Sequence, residues 1–226
     1  MKELAFVDLH THTLLSDGEL LPSELVQRLA HKGCAGVAIT DHVDSSNLGS
    51  VASQILRFAE DAARQWEITV IPGVELTHVP PGGIGDLVQE ARRLGIPWIV
   101  VHGETIVEPV ARGTNRAAIE ARVDLLAHPG LITTEDAMAA ADGGVYLEVT
   151  TRKGHSLANG WVVQKARETG ALLLLDTDTH SPEDILDQAG REAVGAGAGL
   201  GPSEVRRLWE NAHGVLSRLG TSRKGP

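Results

Sequence analysis

The stretch ALLLLDTDTH, residues 171–180, passes from five apolar residues straight into Asp176, Asp178 and His180. A short run that is hydrophobic at every position suits a strand buried on both faces of a parallel sheet. The polar residues begin where such a strand would end.

The same pattern recurs along the chain. Apolar, β-branched runs lie at Leu4–Leu9, Gly36–Thr40, Ile68–Val74, Ile96–Val101, Val123–Ala127 and Val145–Val149, with Ala171–Leu175 as the seventh. Segments of helical periodicity separate them: Pro22–His31, Gly49–Trp66, Gly82–Leu94, Thr114–Arg122, Thr133–Ala141, Ala158–Thr169 and Pro182–Ala196. Ser181 followed by Pro182, Glu183 and Asp184 has the chemistry of a helix start. Strict alternation over 226 residues, with no linker-like segment, predicts a single α/β domain spanning residues 1–226. A last helix is expected at 203–219 and a flexible tail at 220–226.

The residues just beyond each run decide between an open sheet and a closed one. His10 and His12 come after the first run, Asp41 and His42 after the second, Glu75 after the third, and His102 with Glu104 after the fourth. His128 comes after the fifth, Glu148 ends the sixth, and Asp176, Asp178 and His180 close the seventh. An open sheet gathers its ligand at one switch point, whereas every strand of a closed barrel delivers its carboxyl end to one mouth. The distribution therefore predicts a closed (β/α)7, TIM-like barrel with a metal centre of more than one ion. Imidazole and carboxylate donors without thiolate suit Zn²⁺, Mn²⁺ or Fe²⁺, and a bridging carboxylate lets two ions lie close together.

In "DLHTHTLLSDG", residues 8–18, strand alternation puts Asp8, His10 and His12 on one face. Asp8, Asp41 and Asp176 are expected to accept the second ring N–H of metal-bound imidazoles and so fix their orientation, and Glu104 is a further candidate for this. His78 precedes "VPPGG" and is read as the start of a loop, while His31 and His213 fall on expected surface helices.

A formal net charge of −10 argues against a generic nucleic-acid or anionic-membrane binder, because both need a positive field. Cys34 is the only cysteine, the amino terminus lacks a secretory signal pattern, and no apolar run is long enough to span a bilayer. A soluble cytoplasmic protein is expected, with its oligomeric state open.

The ordered motifs DLHTHT, SDG, ITDH, GVELT, VHGE, LAHPG and DTDTH resemble those of the PHP (polymerase and histidinol phosphatase) family, from Asp8 to His180. The resemblance implies a distorted (β/α)7 barrel with two or three divalent ions. One ion would be held by His10, His12, Glu75 and Asp178, a second by the bridging Glu75 with His102 and His128, and a third by Asp17, His42 and His180. Family branches differ between histidine and aspartate at the position of Asp17, which leaves the metal, zinc, manganese or iron, open.

Such ions lower the pKa of a bridging water and grip phosphoryl oxygens, so hydrolysis of a small-molecule phosphate ester is the expected chemistry, with histidinol phosphate suggested by the resemblance alone. Glu75, bridging two ions, would stand beside the reacting atoms. Arg116 in "RGTNRAA" (112–118), at an expected helix start, and Arg152 with Lys153 in "TTRKGHSLANG" (150–160) are the candidate phosphate contacts, and His155 the candidate general acid. A nuclease or nucleotide phosphatase of the same family, a non-catalytic metal-binding module, and an amidohydrolase beginning with a similar HxH are the alternatives.

Overall fold

The computed structural model describes residues 4–220, so the expected tail lies outside the described residues except for Gly220. Strands β1 (Val7–Asp8), β2 (Gly36–Ile39), β3 (His42–Val43), β4 (Thr69–Leu76), β5 (Trp98–His102), β6 (Leu125–Ala127), β7 (Tyr146–Thr150) and β8 (Leu173–Asp176) are all parallel to their partners. Seven of them run around the sheet in the order β1-β2-β4-β5-β6-β7-β8, and short β3 pairs with the end of β4. The helices are α1 (Pro22–His31), α2 (Leu48–Gln65), α3 (Pro81–Arg93), α4 (Thr114–Glu120), α5 (Thr134–Gly143), α6 (Asn159–Thr169), α7 (Gln188–Gly197) and α8 (Pro202–Leu219).

The sheet is a nearly closed (β/α)7 barrel. Beyond the regular ends of β1 and β8, Thr11 bridges Thr179: the amide of His12 donates to Thr179 O at 2.8 Å and that of Asp178 to His10 O at 3.0 Å. Alternation sorts each strand's side chains. Val7, Leu9, Ala38, Ile71, Trp98, Val100, Leu125, Ala127 and Leu174 fill the interior, while Val37, Ile39, Ile99, Val101, Leu147 and Val149 pack in the helix-facing core. Trp98 is fully buried, and its indole N–H donates to Leu9 O at 2.9 Å. Ala212, Val215, Leu216 and Leu219 of α8 join the interior cluster, and the place of Leu216 against Gly36 puts α8 across the amino-terminal end of the barrel. His213, expected as an ordinary surface group, lies on this helix and holds Ala5 O at 2.7 Å through Nε2.

Several boundaries differ from the sequence expectation, each for a local reason. The seventh helix does not begin at Pro182. Residues Pro182–Asp184 make one 3₁₀ turn, closed by a capping box between Ser181 and Asp184. The chain then extends at buried Ile185 before Asp187 caps a new start by accepting from Gly190 N. Likewise Ala158 ends a 3₁₀ turn from His155, so α6 starts at Asn159. The first strand stops at Asp8 rather than Leu9.

That early stop overturns the shared face expected for Asp8, His10 and His12. Phe6 and Asp8 look toward the helices: Asp8 Oδ2 accepts from Arg191 Nη2 on α7 at 2.6 Å, and Arg191 also stacks on the Phe6 ring. The Thr177 hydroxyl donates to the same oxygen at 2.6 Å. Asp8 thus touches no histidine; it is half of a fully buried ion pair that ties β1, β8 and α7 together.

Removing one partner of a buried pair strands the other charge. Asp8→Ala is expected to lower unfolding stability by about 3–5 kcal/mol in urea titrations, and Asp8→Leu combined with Arg191→Met to recover most of the loss.

Candidate metal centre

The carboxyl ends of the strands deliver the donors. Interior parity on β4 and β5 aims Glu75 and His102 into the mouth, directly above Ile71 and Val100. Where a strand has already ended, the backbone bends instead: His128 and Asp178 take left-handed φ of 28° and 52°. Such conformations are strained for non-glycine residues and persist where the surroundings enforce them. Gly18 of the SDG turn is forced by proximity, since a Cβ there would meet the His12–Thr13 peptide at 2.7 Å.

Three donor groups result. His12 Nε2 stands 3.1 Å from His10 Nε2 and 3.2 Å from Asp178 Oδ1, with Glu75 Oε1 3.4 Å from His10 Nε2. Beside them, Glu75 Oε1 is 3.6 Å from His102 Nδ1 and 3.8 Å from His128 Nε2. At the outer edge, His42 Nε2, His180 Nε2 and Asp17 Oδ1 are mutually 3.3 Å apart. The sets that the resemblance implies are therefore each brought together in space.

The residues fit divalent ions. Nitrogen or oxygen donors at about 2.0–2.1 Å from a four-coordinate ion stand about 3.3 Å from one another. Moreover, buried Glu75 Oε1, Asp178 Oδ1 and His102 Nδ1, all on the side of the donor groups, have no hydrogen-bond partner. Such groups cost about 1–3 kcal/mol each when unpaired. Tautomers agree as well: His10 Nδ1 faces Glu148 Oε1 at 2.7 Å and His180 Nδ1 faces the Asp178 carbonyl at 2.9 Å, leaving each Nε2 lone pair toward the centre.

The imidazole orienters are not the ones expected. Glu148 orients His10 and also accepts from His128 N at 2.8 Å. Asp176 instead accepts from Leu9 N at 2.6 Å, and Asp41 accepts from Thr13 N, Thr13 Oγ1 and Ser16 Oγ, bracing the loop that carries His12 and Asp17. Interior parity marks Glu148 from the sequence; its two-sided contact needed the fold.

The anion site expected at "RGTNRAA" is also corrected. Glu104 Oε1 accepts from Gly113 N at 2.9 Å and Asn115 N at 3.0 Å, so the start of α4 already holds a carboxylate. Arg116 pairs with Asp136 on α5 at 2.6 Å. Arg152 does lie at the mouth, close enough to His180 to disfavour its protonation, and donates to Asp184 Oδ2 at 2.8 Å. Lys153 is exposed.

His155, expected in a loop, is buried: its ring stacks on His128 at 4.2 Å and Nδ1 meets Thr105 Oγ1 at 2.7 Å. Glu108, which no sequence pattern singles out, reaches His102 Nε2 at 3.0 Å and His78 and His155 at 3.3 Å each.

Burial lowers His12 to about 3, with His42 adding to it, and holds His128 and His155 below the ordinary imidazole value of 6.5. Against burial, facing carboxylates raise His10, His42, His102 and His180. Burial raises Glu148 and Asp176.

Residues 8–92 match the family model for the PHP domain. The uncharacterized protein MJ1295 of Methanocaldococcus jannaschii is 46% identical over 88% of this chain and 92% of its own length. The 5'-3' exoribonuclease Rnm of Escherichia coli is 28% identical over 97% of this chain and 76% of its own. Among solved structures, the fold is similar to that of histidinol phosphate phosphatase from Lactococcus lactis, complexed with zinc, L-histidinol and phosphate. The TM-score is 0.61 and the identity 16%, with 93% of this chain and 94% of that one covered.

Metal-free protein is expected to be most stable near pH 6.5. Below it, His12, His128 and His155 stay neutral when folded but take protons when unfolded, so stability falls with pH. Above it, His10, His42, His102 and His180 shed protons that the folded state holds more tightly, so stability falls as pH rises. Urea midpoints of chelator-treated protein from pH 5 to 8.5 test this. Separately, Glu148→Ala should weaken zinc binding roughly 10–100-fold in a competition titration.

Proposed function

Because the chain belongs to the PHP domain family, we propose that it is a metal-dependent phosphoesterase acting on a small phosphorylated metabolite. The observation that carries this reading is the convergence of nine imidazole and carboxylate side chains at one barrel mouth, several with buried donor atoms that nothing else satisfies.

His10, His12, Glu75 and Asp178 would hold one ion, Glu75, His102 and His128 a second, and Asp17, His42 and His180 a third. Bound zinc, manganese or iron supplies a nucleophilic water near neutral pH and counter-charge for phosphoryl oxygens. The chain's own groups do the rest. Glu148 and Thr77 fix the imidazoles of His10 and His42, at 2.7 and 2.6 Å. Asp41 holds the loop that presents Asp17. Arg152, held by Asp184, offers the phosphate a guanidinium at the outer edge of the mouth. His155, seated against His128, is the candidate for handing a proton to the leaving oxygen, which would need its imidazole charged against the burial that lowers it.

A nuclease or nucleotide phosphatase is the second reading, favoured by the likeness to the exoribonuclease. Stacking of bases would need free aromatic faces near the mouth. Trp161 is the candidate, but its N–H is bound to Ile132 O and Lys165 lies over its ring at 4.7 Å. This favours the small ester.

Zinc- or manganese-loaded protein is expected to release phosphate from a member of a phosphometabolite library, and chelation to abolish the release until metal is restored. Undiminished activity in metal-free protein sinks the reading; turnover of oligonucleotides alone favours the second. Arg152→Ala should raise KM more than it lowers kcat.

A further inference from the structure

Phosphoester hydrolysis at the three donor groups leaves Glu108 and His78, which meet beside His102 and His155, without a role. The cluster draws on three separate loops: His78 after β4, Glu108 on the segment after β5, and His155 after β7. His102 Nε2, on the opposite side of its ring from the nitrogen facing Glu75, lies 3.0 Å from Glu108 Oε2. His78 Nε2 is 3.3 Å from the same oxygen, and His155 Nε2 is 3.3 Å from Oε1. These are again the spacings of donors around one ion.

Two observations favour a cation here over a simple ion pair. His102 is buried and its Nε2, though aimed at the carboxylate, makes no hydrogen bond. His78 adopts a left-handed φ of 53° that brings its ring to 5.0 Å from that of His102. One carboxylate facing three imidazoles is a donor set suited to zinc.

We propose that a fourth divalent cation binds at this rim, held by Glu108, His78 and the Nε2 edge of His102, with His155 alongside, and that at excess metal it shuts the mouth. A neutral imidazole has one lone pair, so serving ions on both edges of His102 requires loss of its ring proton. The rim ion is consequently the weakest held. Its inhibitory effect rests on the phosphoesterase reading, because it would engage His155 and fix the segment bearing Glu108 across the entrance.

Chelator-stripped protein dialysed against a zinc series, with bound zinc measured by elemental analysis, tests the proposal. Wild type should take up one equivalent more than His78→Ala and Glu108→Gln, both at exposed positions whose folding circular dichroism can check. Phosphate release should rise and then fall with zinc in the wild type. In the variants the rise should remain and the half-inhibiting concentration should move up roughly tenfold or more. Equal zinc uptake by wild type and variants overturns the rim site. A missing equivalent in the variants, with no zinc-dependent phosphate release by any of the proteins, keeps the rim site and sinks the phosphoesterase reading instead.

Discussion

The seam between the first and last strands is the constraint on which the site depends. Neither strand is long enough to close the barrel by regular pairing, and closure falls to the residues just beyond them. The Asp178 amide meets His10 O and the His12 amide meets Thr179 O, while the Asp176 carboxylate takes the amide of Leu9. These few bonds set His10, His12, Asp178 and His180 at fixed distances. Behind them, the Asp8–Arg191 pair fixes the same seam from the helix side. Closing the barrel and assembling the donors are one event.

Glu75 is the second organising element, because its two oxygens divide the mouth. Oε1 faces His10, His102 and His128, and Oε2 faces His12 and His42. A carboxylate so placed, in a pocket closed to water, is held well below the ordinary range despite burial, through His10 and His42 above all. Without ions, protons on some imidazoles supply the balancing charge; divalent cations would supply it more completely, since they satisfy the lone pairs that a proton leaves unpaired.

The barrel was legible because its signal is redundant: seven apolar runs each ended in a donor, and only a closed sheet makes sense of that. The donors at strand ends, such as Glu75 and His102, follow from interior parity alone. Parity failed where the strand had already stopped. Asp8 still belongs to β1 and turns toward α7, whereas His10, two residues on, is steered by pairing with Asp178 across the seam. The partners of buried carboxylates were equally hidden, because Arg191 and Thr177 are distant from Asp8 in sequence. Glu108 lay in a loop without periodicity, where no pattern of residue types signals which way a side chain will reach.

Phosphate recognition is where fold and composition interact most. A helix start beside the mouth, with arginines on it, reads as an anion site, yet Glu104 takes the free amides of α4 and Asp136 takes Arg116. The chain has satisfied internally the donors that a second phosphate would need. On the phosphoesterase reading proposed above, anion binding would be left to cations held at the mouth and to Arg152. In a chain of net charge −10, with the Glu108 carboxylate beside His102, an anion would be attracted only at close range. On that reading a polyanion would meet repulsion along its length and gain attraction at one point. On the small-ester reading proposed above, a compact anion would feel mainly the local attraction, so the electrostatics of the mouth would bear on size as well as on charge.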